Sequence, residues 1–460
     1  MSGYRERIAE ALESGWSFAG LYAVDRGGPV RVVLASESGE IRVETVEPSY
    51  DAVPSLVDLV PAANWDEREA HDLYGVRFNG HEPLRPLVAH DLDISRWTVP
   101  VQGRDPYQVA VGPIHAGVIE SGHFRFHLVG EKILHLDARL FYKHRGLERA
   151  AEDSSLEEGA RYVARACAAC AVTNGVAYAQ AVEEARGHRP SIELARVRTI
   201  LLELERVWSH LNDISAVCAG TGLAAGAQRF ACLTERARRL NAHLAGHRFL
   251  FGAVRIGGSD VSLDAEATSA AQEELGRLRA EAASGWRELV FNRSFDDRLV
   301  DVGVVRAKDA RRLGATGPAT RAAGVAVDAR AASPRLAYDG FVPVTSSRAT
   351  GDVKSRLEQR HLELVQSFDL LESLLARPLQ PCSTEPGGPE QAIGASRVES
   401  PRGATLCVVE HAGDRLTRVH LRTGSYANWP VVAFAAVGNM LPDFPLINKS
   451  FELCYACADR

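Results

Sequence analysis

The sequence lacks a long hydrophobic run. Its start, MSGYRERIAEALESG, contains none of the apolar stretch that a secretory signal peptide carries. The longest apolar run near its end, PVVAFAAV, is far shorter than the roughly 20 residues that a helix needs to cross a membrane. We therefore expect no direct membrane span, so that any membrane attachment comes through partner subunits.

The sequence also lacks an excess of basic residues. Its 460 residues include 53 lysines and arginines against 59 aspartates and glutamates, for a formal net charge of -6. Because proteins that bind nucleic acid usually present a concentrated positive surface, nucleic acid is not expected as a partner. The remaining composition is that of a globular protein, and a chain of this length usually divides into two or more domains.

Cysteines are few, and their spacing is the most informative feature of the chain. There are eight, and without a secretory signal they are expected to be reduced thiols or metal ligands rather than disulfides. Four form two CxxC pairs, Cys167 with Cys170 and Cys454 with Cys457, almost three hundred residues apart. Soft thiolates favour zinc, iron-sulfur clusters, copper(I) or nickel over magnesium or calcium. The two pairs together predict one four-thiolate metal site.

Other interpretations of the cysteines remain open. Either pair could consist of packing residues, because a free cysteine behaves as a small buried hydrophobe, and the four together could hold a structural zinc ion. Cys167 and Cys170 lie in a stretch compatible with a helix, which predicts both side chains on one helix face.

The four remaining cysteines lack the clustered spacing of an iron-sulfur cluster, so the chain is expected to hold no iron-sulfur cluster of its own. They are Cys218, Cys232, Cys382 and Cys407.

The pattern of short runs and turns predicts an α+β fold that begins with a small α+β domain. Between residues 17 and 46, β-favouring runs alternate with turn residues, which is typical of an antiparallel meander. A helix is predicted over residues 55–74. Irregular, proline-containing sequence over residues 84–106 then predicts a linker, with a domain boundary near residue 100.

The rest of the chain is predicted to be a mainly helical bundle with a β hairpin. The runs HFRFHLV and KILHLDARL flank a turn that contains glycine, which predicts the hairpin. Long segments with apolar stripes predict helices that pack around a shared interior. These segments are residues 155–185, 191–215, 227–250, 263–290 and 353–376.

Longer motifs give the chain a resemblance to a known family. NWDEREAHDLYGVRFNGHEPLRPL, over residues 64–87, is similar to the signature of the 30-kDa subunit of respiratory complex I. Further motifs resemble those of the complex I 49-kDa subunit and of nickel-iron hydrogenase large subunits. They are GPIHAGVIESGHFRF, YKHRGLE, ELERVWSHL, ESPRGATL and the terminal SYANWPVVAFAAVGNMLPDFPLINKSFELCYACADR. The whole chain resembles the large subunit of energy-converting, group 4 hydrogenases of the formate hydrogenlyase and hydrogenase-4 type.

This resemblance implies a 30-kDa-like domain with a linker over residues 1–100 and a hydrogenase large-subunit, or 49-kDa-like, domain over residues 101–460. It also implies an enzyme that interconverts hydrogen with protons and electrons. The four paired cysteines would hold nickel, with Cys170 and Cys457 bridging to an iron that carries cyanide and carbon monoxide.

The resemblance assigns roles to three charged residues as well. Glu120, in VIESGH, would relay protons, and Arg402, in SPRGA, would lie over the metals. Glu148, in HRGLE, would match a structural magnesium ligand. From the residues alone, Glu120 would be a surface carboxylate, Arg402 a solvated arginine and Glu148 a member of a helical ion pair.

The same resemblance implies partners and a location. Electrons would leave through an iron-sulfur small subunit, because this chain lacks the cysteines for its own relay. Integral-membrane subunits would complete the complex and hold it on the cytoplasmic face of the membrane. Two alternatives remain: a complex I-like subunit of the NADH and quinone type without hydrogenase activity, and a structural subunit whose thiolates hold zinc.

The chain departs from the family pattern beside the cysteines. The first thiolate motif usually carries glycine after its first cysteine and histidine four residues after its second, where this chain has Ala168 and Asn174. The last motif usually begins with Asp-Pro, where this chain has Glu452 and Leu453. Neighbours of this kind orient the ligands and tune the metal.

Other polar residues allow two interpretations. Glu203, Arg206 and His210 have the spacing of one helix face, and they could form a proton path or quinone-like cavity, or a buried ion-pair network. His115 and His123 are expected to be hydrogen-bonding structural residues.

Overall fold

The fold is built from three small antiparallel sheets and a set of long helices, which agrees with the predicted α+β class. The computed structural model describes residues 2–50, 52–89, 97, 99–103, 105–112, 121–261, 263–380 and 382–460. Because the predicted linker falls partly outside these ranges, the boundary near residue 100 stays a prediction.

The N-terminal region contains the predicted antiparallel meander. In the sheet order β1-β2-β3, Leu21 lies opposite Val32 and Val33 lies opposite Val43. Two short strands, β4 and β5, pair in parallel beside it. The elements of this region are α1 Ser2–Glu13, β1 Ser17–Ala23, β2 Val30–Ala35, β3 Ile41–Val46, β4 Ala52–Pro54, α2 Asn64–Tyr74 and β5 Arg77–Asn79.

The helix predicted over residues 55–74 begins later than expected, at Asn64. A 3-10 turn that starts at Pro61 precedes it. The Ser55 hydroxyl and the Leu56 N–H both donate to the buried carboxylate of Glu67, at 2.8 and 2.6 Å. Residues 55–56 therefore lie against the helix instead of forming its first turn.

The predicted hairpin is present and belongs to a three-stranded sheet. Strand β7 (His123–Val129) pairs with β8 (Lys132–Arg139) through a turn at Gly130, where φ is +58°. Strand β6 (Tyr107–Val111), which the sequence did not predict, adds to the other edge of β7.

Long helices follow, and most match the predicted segments. The predicted helix over residues 155–185 is wrong in one respect, because it is interrupted over residues 165–170, where the first two cysteines lie. The helices are α3 Leu147–Ala151, α4 Leu156–Ala164, α5 Ala171–Ala185, α6 Ile192–Gly220, α7 Ala224–Ala245, α8 Ala265–Val290, α9 Arg293–Asp297, α10 Ala307–Arg312, α11 Pro318–Arg321 and α12 Val353–Leu374. Short strands between them are β9 His188–Pro190, β10 Val254–Arg255, β11 Gly258–Ser259 and β12 Thr384–Pro386.

Side-chain caps fix where three of these helices begin. Ser191, Asp264 and Asp352 each accept the backbone N–H three residues ahead, which satisfies an otherwise unpaired donor in the first turn of α6, α8 and α12. Nearly every residue of α6 from Leu194 to Leu211 is buried, so this helix forms the centre of the bundle.

The chain ends in a third sheet and three helices. This sheet has the order β13-β14-β15, with all strands antiparallel. The elements are β13 Ile393–Ser400, β14 Gly403–Ala412, β15 Arg415–Arg422, α13 Gly424–Ala436, α14 Phe444–Phe451 and α15 Ala456–Asp459. Strand β15 leads directly into α13, which places the third sheet beside the last two cysteines.

Charged contacts hold the N-terminal region against this third sheet. Asp66 on α2 accepts from Arg422 on β15 at 2.8 Å, with both side chains almost fully buried. Glu410 on β14 accepts from the Tyr22 hydroxyl at 2.8 Å and pairs with Arg31 at 3.1 Å. The meander and α2 are therefore fixed relative to the sheet that leads into the cysteine segment.

Asp66→Ala should lower the free energy of unfolding by about 3 kcal/mol or more, because it leaves Arg422 buried without a carboxylate. Urea denaturation of the full chain measures this change. Glu273→Ala is the control, since it breaks an exposed ion pair with Arg277. The Glu273 side chain is 69% exposed and the Arg277 side chain is 54% exposed. That control should cost no more than about 0.5 kcal/mol. Equal losses in the two variants would contradict a stabilising role for the Asp66 contact.

Candidate metal centre

The two CxxC pairs meet in the structure. The sulfur atoms of all four cysteines lie within 4.8 Å of one another, and the Sγ atoms of Cys170 and Cys457 are 3.9 Å apart. Three of the cysteines are buried, and Cys454 is half-buried. Within the described ranges, this is the only group of three or more cysteine, histidine or acidic side chains close enough to hold a metal ion.

The separations between the sulfurs fit a shared metal site. A tetrahedral thiolate set with metal–sulfur bonds of about 2.3 Å has sulfurs about 3.8 Å apart. The four sulfurs, all within 4.8 Å of one another, come close to this spacing. They can therefore bind a thiophilic metal with small adjustments.

The first pair lies on a tight turn ahead of a helix. Cys167 is extended, with φ −154° and ψ 132°, and a 3-10 turn over Ala168–Cys170 follows before α5 begins. In a 3-10 turn, side chains three residues apart nearly eclipse. The prediction that both cysteines lie on an α-helix was thus wrong, although the turn still brings their side chains to one side.

A buried carboxylate holds the start of the helix that follows. Glu205 on α6 accepts from the backbone N–H groups of Val172 and Thr173, at 2.7 and 3.2 Å, and from the Thr173 hydroxyl at 2.6 Å. Burial raises the pKa of Glu205 to about 7. The sequence interpretation missed this residue, although it lies inside the ELERVWSHL motif.

The second pair follows a sharp change of chain direction. Helix α14 ends at Glu452, which has a left-handed backbone with φ +48°, a conformation that costs energy for any residue other than glycine. The Cys454 N–H then donates to Ser425 Oγ at 3.1 Å, and the Thr423 hydroxyl donates to the Cys457 carbonyl at 3.3 Å. The first turn of α13 therefore fixes both ends of this pair.

Three of the four thiols have shifted pKa values. Hydrogen bonds from Cys167, Cys170 and Cys457, together with the charge of Arg402, hold the pKa of Cys454 well below its usual value. Contacts with the neighbouring thiols and burial raise the pKa of Cys170 and of Cys457. Because a metal ion binds thiolates, its binding at this site would release the protons that these thiols hold.

Arg402 is buried beside the thiols and is fixed by three acceptors. Its Nε donates to the Glu452 carbonyl at 2.7 Å, Nη1 donates to Ser209 Oγ at 3.2 Å, and Nη2 lies 3.4 Å from Asp213 Oδ1. Burial alone would lower the pKa of Arg402, but the nearby Cys454 and Asp213 raise it well above its usual value. A permanent positive charge is therefore held next to the sulfurs.

Asp213 is a second residue that the sequence interpretation missed. It lies on α6, three residues after His210, and is fully buried between Arg402 and Arg360, whose Nε donates to it at 3.0 Å. The sequence could have indicated Asp213, because its spacing places it on the same helix face as His210. The arginines, with a contribution from His210, outweigh burial and lower the pKa of Asp213.

The residues Glu203, Arg206 and His210 lie fully buried on α6 and have polar partners. Arg206 lies 3.3 Å from Glu203, and His210 Nε2 lies 3.0 Å from Glu363. Glu203 also accepts from the Tyr338 hydroxyl at 2.6 Å. Of the two interpretations of these residues, the contacts favour the ion-pair network, which ties α6 to α12.

Glu148 lies apart from the cysteines, in the first turn of α3. Its carboxylate binds Arg460 at 2.7 Å and Arg418 at 3.0 Å. Glu120 and His115 lie outside the described residues, so their roles stay predictions. His123 is buried, 5.7 Å from Trp97 between ring centres, and burial lowers its pKa.

Asn174 stands where the family usually has histidine. Its side chain is fully buried on α5, one turn after Cys170, and its amide oxygen and nitrogen make no hydrogen bond within the described part of the chain. Two unpaired polar atoms of this kind are costly beside an otherwise apolar helix face.

None of the helices in the described ranges combines the length and the apolar character that a membrane span requires.

Two family models match the chain. Residues 7–102 match the 30-kDa subunit of respiratory-chain NADH dehydrogenase. Residues 228–387 and 387–460 match the 49-kDa subunit of the same enzyme.

Individual proteins match over most of the chain. Formate hydrogenlyase subunit 5 of Escherichia coli strain K12 is 30% identical over 94% of this chain and 82% of its own length. Hydrogenase-4 component G of the same organism is 31% identical over 88% of this chain and 76% of its own. Among solved structures, a chain of the archaeal membrane-bound sulfane sulfur reductase, a respiratory membrane complex, superposes with a TM-score of 0.71. It is 27% identical and covers 77% of this chain and 99% of its own. The chain therefore belongs to the family of energy-converting, group 4 hydrogenase large subunits, in which parts related to the 30-kDa and 49-kDa subunits of complex I are joined.

Proposed function

We propose that this protein is the catalytic large subunit of a membrane-associated hydrogenase complex. It interconverts hydrogen with protons and electrons at a nickel-iron centre held by Cys167, Cys170, Cys454 and Cys457. The observation that carries the proposal is the convergence of the four sulfurs within 4.8 Å, from two segments at distant places in the sequence.

The four cysteines are proposed to have different roles in holding the metals. Cys170 and Cys457 are both buried, with Sγ atoms 3.9 Å apart, and they would be the two thiolates shared by nickel and iron. Cys167 and Cys454 would complete the nickel site. When bound, the metals would supply the heterolytic cleavage of hydrogen, by which each H2 yields two protons and two electrons overall.

The surrounding residues position ligands and move protons. Arg402 is fixed by three acceptors, so its remaining N–H groups are oriented to hydrogen-bond a diatomic ligand of the metals. The Sγ of half-buried Cys454 is the proposed atom that takes up the proton. Glu120 is proposed to carry that proton onward.

Electrons leave through a partner. The four cysteines outside the two pairs are not grouped with other metal-binding side chains in the described part of the chain, so an iron-sulfur small subunit must accept the electrons. Integral-membrane subunits then hold this chain on the cytoplasmic face of the membrane. The relatives named above, two hydrogenase components and a respiratory membrane complex, support a multi-subunit assembly.

One alternative function has support of its own. The family models are those of complex I subunits, and Asn174, Glu452 and Leu453 replace residues that usually flank the hydrogenase metals. In this alternative, the chain serves quinone-linked or NAD-linked electron transfer without handling hydrogen. The complete set of four thiolates favours the hydrogenase.

The unaltered protein should hold about one iron per chain. Cys457→Ser should lower that amount and abolish hydrogen turnover, because it removes a sulfur that would be shared by the two metals. Metal analysis, hydrogen uptake and infrared bands of iron-bound cyanide and carbon monoxide in anaerobically purified complex measure this. Cys232→Ser is the matched control, since Cys232 is an exposed cysteine on α7. It should leave all three readouts unchanged.

The same metal analysis separates the alternatives. Zinc as the sole metal would replace the hydrogenase proposal with the structural one. A complex that is assembled and redox-active but free of metal at this site would support the complex I-like alternative. Unchanged hydrogen turnover in Cys457→Ser would end the proposal for this cysteine set.

Arg402→Lys should keep nickel and iron but lower hydrogen turnover by about 10²-fold or more, because lysine keeps the charge and loses the fixed, forked donors. Turnover per bound nickel is the quantity to measure. Turnover equal to that of the unaltered protein would show that the guanidinium geometry is not used.

A further inference from the structure

Glu148 is a carboxylate whose two oxygens are already engaged. Oε1 accepts from Arg460 Nε at 2.7 Å and from the Leu421 N–H at 2.9 Å. Oε2 accepts from Arg418 Nη1 at 3.0 Å, and His420 Nδ1 lies 3.6 Å from Oε1. Burial alone would raise the pKa of Glu148, but the two arginines hold it well below its usual value.

A magnesium ion does not fit these surroundings. Magnesium requires a near-octahedral set of oxygens at about 2.0–2.1 Å. The side chains that meet Glu148 are positively charged or titratable to a positive charge: Arg418, His420 and Arg460. A second carboxylate of this cluster, Glu69, is itself bound by Arg460 Nη2 at 2.7 Å. The structure therefore disagrees with the magnesium site that the sequence resemblance implied at Glu148.

We infer that the guanidinium of Arg460 takes the place of a divalent cation and joins three parts of the chain. Like a metal ion, it bridges two carboxylates, Glu69 on α2 and Glu148 on α3. Its side chain is 2% exposed and lies over the Tyr426 ring at 4.7 Å. A planar guanidinium suits this role because its donors are held in a rigid fork.

The bridge also positions the second cysteine pair. Arg460 lies three residues after Cys457, at the end of the short helix α15. The preceding residue, Asp459, accepts the backbone N–H of Phe141 at 2.7 Å through its carboxylate. Arg460 is thus a positioning residue, which anchors the cysteine segment to α3 and to the N-terminal region at once.

Loss of Arg460 would expose the pair of carboxylates to solvent cations. Glu69, Glu148 and Arg460 line one cavity of about 370 Å³, together with Arg149 and His144. Without the guanidinium, Glu69 and Glu148 would repel each other beside this cavity. A magnesium ion could then bind between them, which the unaltered protein does not allow.

Thermal unfolding of the full, nickel-free chain in excess EDTA or in excess magnesium chloride tests this inference. The unaltered protein should have the same midpoint in both. Arg460→Ala should unfold about 3 to 5 °C lower in EDTA, because a buried ion-pair partner is lost, and magnesium should restore at least half of that shift. Arg460→Lys, which keeps a positive charge there, should be intermediate and should not respond to magnesium.

Arg149→Ala is the matched control. Arg149 lines the same cavity, but its side chain is 76% exposed and pairs with Glu152 at 3.4 Å. This variant also removes one positive charge, yet it should keep the midpoint of the unaltered protein and show no response to magnesium. A magnesium response equal to that of Arg460→Ala would overturn the inference, because the effect would then follow net charge alone.

Other outcomes would overturn the inference directly. An unaltered protein that has been freed of all metal by EDTA and is then stabilised by magnesium would hold a divalent cation beside Arg460, because thiolates do not favour magnesium. An unchanged midpoint in Arg460→Ala would mean that the bridge does not stabilise the chain. If Arg460→Ala fails to fold, Glu69→Gln tests the same bridge at one end: it should lower the midpoint without a magnesium response, and an unchanged midpoint would overturn the inference.

A second readout tests the positioning role. After the chain is loaded with nickel, the metal should dissociate faster from Arg460→Ala than from the unaltered protein, and magnesium should slow that loss. Equal dissociation rates would overturn the positioning role while leaving the stability results valid. Because the unfolding experiment uses nickel-free chain, its result does not depend on whether the protein turns over hydrogen.

Discussion

The rest of the structure depends on one constraint: four thiol sulfurs from two distant segments must stay within 4.8 Å of one another. Neither segment can hold its pair alone. The first is fixed by the Glu205 carboxylate at the start of α5, and the second by the first turn of α13. The sheet that leads into α13 is in turn held by the N-terminal region, so the fold as a whole determines the spacing of the sulfurs.

Helix α6 carries most of the charge that surrounds this site. A buried helix with this many ionised residues is stable only when each charge is paired, because an unpaired buried charge costs several kcal/mol. Glu203, Arg206, His210 and Asp213 are paired with residues of α6 itself, α12 and the loop that holds Arg402. The network therefore ties the bundle together and fixes the one guanidinium beside the sulfurs.

Local patterning predicted the elements better than their ends. The meander, the hairpin and most long helices follow from runs and periodicity in the sequence, and they are present. The interruption over residues 165–170 was not predictable in this way, because the alanine-rich stretch favours helix. Contacts with distant residues hold it open, and among them Arg145 donates to the Ala166 carbonyl at 2.7 Å. Likewise, the late start of α2 depends on the hydrogen bond between the Glu67 carboxylate and the Leu56 N–H. The partners of Arg460 could not be predicted either, because they lie hundreds of residues earlier in the chain. Spacing identified the cysteine pairs, but Asp213, Glu205 and the bridge at Arg460 required the fold.

We propose that these four sulfurs bind one nickel ion. X-ray absorption at the nickel edge, on anaerobically purified complex, tests this binding most directly. The expected result is a nickel ion surrounded by four sulfur neighbours, with one fewer when Cys167 is changed to serine. Nickel bound mainly by nitrogen and oxygen, or a sulfur count that Cys167→Ser leaves unchanged, would contradict it.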